Sequence, residues 1–273
     1  MTTCKKSSLP NFNKSGVLFY GQKADFSAEF YLFGTMHVNS DAAYKYYDLA
    51  TSCIDKSSIY AGEIDLAINA SEDLQTFIEL EDTDLNELLG NKKYKKLEFH
   101  LKKYFGLELS NFNKLVPFFL LNVINELSLN DQSNRKALDI ALFEYAVERG
   151  VQTTGLEDLF EHYNVLQRIP YEIQAVQLKQ VILNVSRFRT NLKKVSCWYQ
   201  DADIRMLYQM TKKSLGKMKG IMLYDRNKIM AEKIDKLAND ERVFSACGVS
   251  HLWGKYGLLR LLKQRGYKFK VIN

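Results

Sequence analysis

Phe30-Tyr31-Leu32-Phe33-Gly34-Thr35-Met36-His37 and Val243-Phe244-Ser245-Ala246-Cys247-Gly248-Val249-Ser250-His251 are two copies of one pattern, an apolar run followed by Gly-x-x-His. They lie near opposite ends of a 273-residue chain and hold two of its four histidines. A short apolar run closed by glycine reads as a buried strand that turns sharply, and the histidine then falls where a following helix begins. In an open α/β sheet this is the carboxyl end of a strand, where ligands bind. Gly34 and Gly248 let the backbone bend and leave space over the site, and Thr35 or Ser250 is placed to cap the next helix.

Outward from these two units, strands and helices alternate. Residues 17–20 and 29–33 read as strands around a turn at Gly21, and a helix capped by Ser40 carries Ala43, Tyr47, Ala50 and Ile54 on one face. Residues 58–62 form a short strand ending at Glu63. The stretch 71–149 reads as helical, with a nearly apolar segment at 117–129, and is too long for a simple crossover. A strand at 151–155 is closed by Leu156 and Glu157. Helix follows from 158 to about 211 and again over 225–238, and after the second Gly-x-x-His come a helix through Leu258, Leu259, Leu261 and Leu262 and a last strand at 267–272. The pattern predicts an α/β fold with a central, largely parallel sheet flanked by helices and a helical insertion over roughly 71–149. Three prolines and 14 glycines leave little room for a linker, so residues 1–273 are expected to form a single domain.

The net charge of +6 is unevenly spread: Glu72, Asp73, Glu79, Glu81, Asp82, Asp84 and Glu87 precede Lys92, Lys93, Lys95, Lys96, Lys102 and Lys103. The lysine block, interleaved with Tyr94, Phe99, Tyr104 and Phe105, reads as an amphipathic helix with a solvated face, which disfavours a nucleic-acid or anionic-membrane role. Cys4, Cys53, Cys197 and Cys247 have neither Cys-x-x-Cys nor framework spacing and read as free thiols in a reducing compartment. No secretory apolar region precedes residue 30 and no run approaches the ~20 apolar residues of a spanning helix. The chain as given is expected to be cytoplasmic. It would be exported or lipid-anchored, with Cys4 as the acceptor, if a leader is missing.

Four strand ends carry a ligand or an acid/base group: His37, Glu63, Glu157 and His251. Parallel strands bring their carboxyl ends to one edge, and two imidazoles with one or two carboxylates make a ligand set for a divalent transition metal. A carboxylate left off the metal can take a proton from a water whose pKa the metal lowers. Each group also has a structural reading, as a hydrogen-bonded histidine or as a carboxylate near a helix N-terminus. His100 and His162 have no matching pattern and are read as surface or structural residues. Gly248-Val249-Ser250-His251-Leu252 approaches a nucleophile elbow but lacks its closing glycine. No Asp or Glu follows Ser250, so the hydrolase order Ser, acid, His cannot be built. There is no His-Glu-x-x-His, no phosphate-binding loop and no Gly-x-Gly-x-x-Gly.

Tyr31 to His37, Gly62-Glu63-Ile64-Asp65-Leu66, Gly155-Leu156-Glu157, Asp225-Arg226-Asn227 and Gly248 to Leu252 resemble, in order and spacing, the TraB/GumN family, which includes the Tiki proteases. The resemblance runs from about residue 16 to the C-terminus. It implies an erythromycin esterase-like α/β fold and, in the Tiki branch, metal-dependent peptidase activity supported by manganese or cobalt, with zinc as a further candidate. It implies that His37 and His251 are the Gly-x-x-His histidines, Glu63 the glutamate after its strand, and Arg226 the late arginine, placed to stabilise an oxyanion. Glu157 falls in the matching Gly-Leu-Glu segment. The expected function is therefore metal-dependent hydrolysis of a peptide or protein substrate. His37, His251 and Glu63 are the expected metal ligands, and Glu63, Glu157 and Arg226 the catalytic groups. The alternative is a non-catalytic protein that sequesters a peptide or other ligand on the same scaffold.

Overall fold

The structure, a computed structural model, describes residues 16–25, 27–67, 75–129 and 135–273. Glu72 and Asp73 of the acidic block, and Cys4, lie outside these residues. The chain divides into two units, one within Met1–Ala67, Ser133–Leu159 and Lys194–Asn273, the other within Ile68–Gln132 and Phe160–Lys193.

The first unit is built on a six-stranded sheet of β1 (Leu18–Lys23), β2 (Glu29–Thr35), β3 (Ile59–Gly62), β4 (Gln152–Gly155), β5 (Val243–Gly248) and β6 (Tyr267–Val271). Its order is β4-β3-β5-β2-β1-β6. The four strands β4, β3, β5 and β2 are mutually parallel, and β1 pairs antiparallel with β2 and with β6. The α/β class with a largely parallel sheet is thus the observed one. The parallel core explains the composition of β2 and β5, because strands covered on both faces are apolar at nearly every position rather than at alternate ones. Phe30, Leu32, Phe33, Val243 and Phe244 have no exposed surface, and Tyr60 of β3 stacks on Phe244 with ring centroids 5.9 Å apart.

β3 and β5 are neighbours whose outgoing connections diverge, β3 leading to β4 on one side and β5 towards β6 on the other. Such a divergence leaves a crevice at the carboxyl ends of the strands. Helices Tyr47–Ile54 and Leu138–Glu148 pack together, the latter also against β3 and β4, and helix Arg226–Asp240 packs on β5, β2 and helix Leu258–Gln264. Helix Leu138–Glu148 lies within the run expected to be helical insertion and belongs to the sheet unit.

The second unit has its own core of leucines and isoleucines, including Leu85, Leu97, Leu101, Leu120, Ile124, Leu178 and Ile182. Within helix Asn91–Phe105, Leu97 and Leu101 are buried one turn apart while Lys92, Lys93, Lys95, Lys96, Lys102 and Lys103 are exposed. Apolar positions at i and i+4 with lysines elsewhere are what an amphipathic helix requires. Helix Pro117–Leu129 is less covered than its composition predicts, for Leu127 is 53% exposed.

Two helices predicted as continuous are divided. The first breaks into Asp41–Tyr44, whose Ser40 cap accepts from the Ala43 N–H, and Tyr47–Ile54. The run from 158 to 211 divides into Leu159–Gln167, Tyr171–Leu183, Val185–Gln200 and Ile204–Leu215. Pro170, which cannot donate to a preceding turn, starts the second of these, and Asp203 caps the last by accepting from the Met206 N–H at 3.0 Å.

Candidate functional site

The strand order places Glu157, Glu63, His251 and His37 along one edge of the sheet, each just beyond the carboxyl end of β4, β3, β5 and β2 respectively. Backbone pairing continues past the ends of β3 and β4, with Leu156 N–H donating to Gly62 O at 2.8 Å and Glu157 N–H to Glu63 O at 3.1 Å. The two glutamates are therefore held on adjoining backbone. Neither Thr35 nor Ser250 caps a helix. Thr35 is the last residue of β2 and is buried, Ser40 caps the helix after His37, and His251 ends a single 3-10 turn, Val249–His251.

Arg226 joins the glutamates. One turn of π-helix, Gly220–Asp225, runs directly into helix Arg226–Asp240, and the guanidinium at that junction lies between the two carboxylates. Its Nε donates to Glu157 Oε1 at 3.0 Å and Oε2 at 2.9 Å, and its Nη2 donates to Glu157 Oε2 and Glu63 Oε1. Arg226 and Glu157 are 5% and 6% exposed, so the charges meet out of water and depend on one another. Burial alone would raise the Glu63 pKa. Arg226, then His251 and His37, and the Gly248 N–H outweigh it and hold the carboxyl well below its ordinary range.

The other oxygen of Glu63 faces the histidines. Oε2 accepts from Gly248 N–H at 2.9 Å and lies 3.9 Å from His37 Nε2. Gly248 is the centre of the arrangement: a Cβ placed on it would stand 3.5 Å from Glu63 Oε2, 3.5 Å from His37 Nε2 and 3.6 Å from His251 Cδ2. The absent side chain leaves a small cradle bounded by three of the residues singled out in the sequence. Among the described residues, the ligand atoms of His37, Glu63 and His251 do not all lie within 4.8 Å of one another.

Each histidine is held from behind through Nδ1. Asp139 Oδ2 lies 3.0 Å from His37 Nδ1, and Asn227 Oδ1 lies 2.6 Å from His251 Nδ1. Asp139 reaches His37 because Leu138 N–H donates to Val38 O at 3.0 Å, tying the start of helix Leu138–Glu148 to the loop after β2. Burial would depress the His37 pKa, but the charge and hydrogen bond of Asp139 and the charge of Glu63 raise it to about 9. For His251 burial prevails and pushes the pKa down to about 4. Half of the His37 side chain, 54%, is exposed, so solvent screens its electrostatics more than those of His251, which is 4% exposed.

The structure therefore gathers His37, Glu63, Glu157, Arg226 and His251 at one sheet edge. His100 lies in helix Asn91–Phe105 against the rings of Phe99 and Tyr104, and His162 in helix Leu159–Gln167; both belong to the helical unit. Sequence reasoning missed Asp139 and the function of Asn227. The signal for Asn227 was its place beside Arg226, since a buried asparagine in the first turn of a helix must find partners. Among the described residues no helix is long and apolar enough to cross a membrane. A comparison with curated proteins finds no match. Residues 22–271 match the TraB/PrgY/gumN family, and over nearly its whole length the chain belongs to that family.

Proposed function

We propose that this protein is a metal-dependent hydrolase, with a peptide as its substrate. The observation that carries the proposal is the cradle at Gly248, where two imidazole edges and a carboxylate oxygen surround space for one small group. The separation of 3.9 Å between His37 Nε2 and Glu63 Oε2 suits two donors that each stand about 2.1 Å from one ion. Mixed imidazole and carboxylate donors fit manganese, cobalt or zinc. His37 Nε2 and Glu63 Oε2 thus fit the group as a pair, and they are the residues that would hold it, with His251 the third ligand once its ring turns Nε2 toward the same glycine. When bound, such an ion supplies a Lewis acid for a carbonyl oxygen and a water of depressed pKa.

The remaining residues prepare that place. Arg226 keeps Glu63 ionised and fixes one of its oxygens, so that the other is presented to the cradle. Glu157 spends both oxygens on Arg226 and balances a guanidinium that would otherwise be buried with a single counter-charge. In this reading Arg226 acts through Glu63. Choice of a peptide rests on the resemblance to the Tiki branch.

The test is a peptide-library cleavage assay with manganese, cobalt or zinc added to metal-stripped protein. Wild type is expected to cut in a metal-dependent way and folded His37→Ala to lose at least about a hundredfold in rate. Undiminished turnover by the folded variant refutes the proposal. Peptide bound stoichiometrically and recovered intact would favour the sequestering protein instead.

A further inference from the structure

The hydrogen bonds of Asn227 decide which nitrogen of His251 carries a proton. Asn227 is 1% exposed, and its amide nitrogen donates to two backbone oxygens, His251 O at 3.3 Å and Tyr256 O at 2.7 Å. Carbonyl oxygens only accept, so the NH2 end of the amide must face them and Oδ1 must face the histidine. An amide oxygen also only accepts, so His251 Nδ1, at 2.6 Å, must be the donor. A neutral imidazole protonated on Nδ1 keeps its lone pair on Nε2. The ring edge that carries Cδ2 and Nε2 is the one on the Gly248 side, with Cδ2 the atom at 3.6 Å from the cradle.

His37 repeats the logic with a different partner. Asp139 Oδ2, an acceptor when ionised, is 3.0 Å from Nδ1, and Nε2 is the atom directed at the cradle. Two unrelated elements, the helix that starts at Leu138 and the helix that starts at Arg226, thus supply an acceptor to the same atom of the two histidines.

We infer that Asn227 and Asp139 are positioning residues: each takes the Nδ1–H of one Gly-x-x-His histidine and thereby holds that ring with its Nε2–Cδ2 edge on the Gly248 side, leaving Nε2 as the nitrogen open to a ligand in neutral His251 and in His37 once it has given up its second proton. The value of this arrangement to an ion rests on the proposed function, but the assignment of the protons does not. An outer hydrogen bond of this kind sets the tautomer and orientation of a metal-binding histidine.

Long-range proton–nitrogen correlation spectra of metal-free, 15N-histidine-labelled protein at neutral pH test the assignment. His251 is expected to show the Nδ1–H tautomer and to lose it in Asn227→Leu. Cobalt titrations followed by absorbance are expected to show affinity weakened about 10–100-fold in Asn227→Leu. Asp139→Leu is the matching variant for the Nδ1–H of His37. A wild-type His251 protonated on Nε2 overturns the inference, as does an Asn227→Leu protein with unchanged tautomer. The wild-type spectrum decides the assignment even where the leucine variant does not fold. Failure of wild type to bind cobalt while showing the Nδ1–H tautomer refutes the metal reading and supports the proton assignment.

Discussion

Gly248→Ala adds one methyl group at the point on which His37, Glu63 and His251 converge. The backbone of Gly248, at φ −52° and ψ 131°, is open to any residue, and the nearest atoms to the added carbon stand at 3.5–3.6 Å, ordinary contact. The metal-free variant should therefore fold, with stability raised by about 0.4–1 kcal/mol because alanine narrows the unfolded ensemble. The same methyl fills the cradle. In wild type, an ion at a hundredfold excess over its dissociation constant adds about 2.7 kcal/mol to the folded state. For a chain of this size that is a rise of roughly 5–11 °C in melting temperature. Metal-stripped wild type and variant, melted with and without manganese, cobalt or zinc, should separate the two effects: a higher baseline and no metal response in the variant. An equal metal-induced rise in both proteins would refute the placement of the ion at Gly248. Loss of folding in the metal-free variant would refute the claim that the space is open.

Arg226→Met should cost about 3–5 kcal/mol in urea unfolding, because it leaves Glu63 and Glu157 together and buried without their cation; a loss below about 1 kcal/mol would show that the charges are not interdependent. Metal-free stability should also vary with pH on both sides of neutrality. His251 is held at about 4 when folded and an unfolded histidine lies near 6.5, so its contribution, at most about 3 kcal/mol, is complete above pH 6.5 and lost as pH falls toward 4. Glu63, depressed when folded, likewise stabilises above the ordinary carboxyl range and loses that contribution under acid. His37, raised to about 9, acts in the opposite sense: its stabilisation is present below about 6.5 and disappears as pH rises through 9. Urea midpoints that stay constant from pH 6.5 to 5 would contradict the neutral, buried His251. Finally, Tyr199→Phe removes the hydroxyl that donates to Gly34 O at 2.8 Å in the buried region behind the site, and should cost about 1–2 kcal/mol in the same measurement; no loss would mean that water replaces it.

The four strand ends were legible because a buried parallel strand writes itself as a continuous apolar run, and the chemistry follows it at once. Phe30 to Gly34 and Val243 to Gly248 needed no tertiary information to be read as strands. Which strands would be neighbours was not readable, since β5 enters between β3 and β2 through pairings such as Phe30 with Val243, far apart along the chain. Arg226 was visible as a residue but not as a bridge, for nothing local fixes a guanidinium between two carboxylates from other strands. Asp139 was invisible for the same reason, its contact with His37 depending on how the helix at Leu138 is tied to Val38. The break at Pro170 carried a local signal in its missing N–H. The one before Tyr47 did not, as Tyr46 precedes that helix with no side-chain cap.

The position of β5 has a consequence for synthesis of the chain. β2 and β3 are not bonded to each other; each pairs with opposite sides of a strand made only after the helix Arg226–Asp240. A nascent chain can pair β3 with β4 and so hold Glu63 beside Glu157, yet it has no strand to join β2 and His37 to them. Its late strand must enter a gap between two earlier ones, a non-local closure of the kind that folds slowly. The centre thus comes together only when β5 and the His251 that directly follows it have been made.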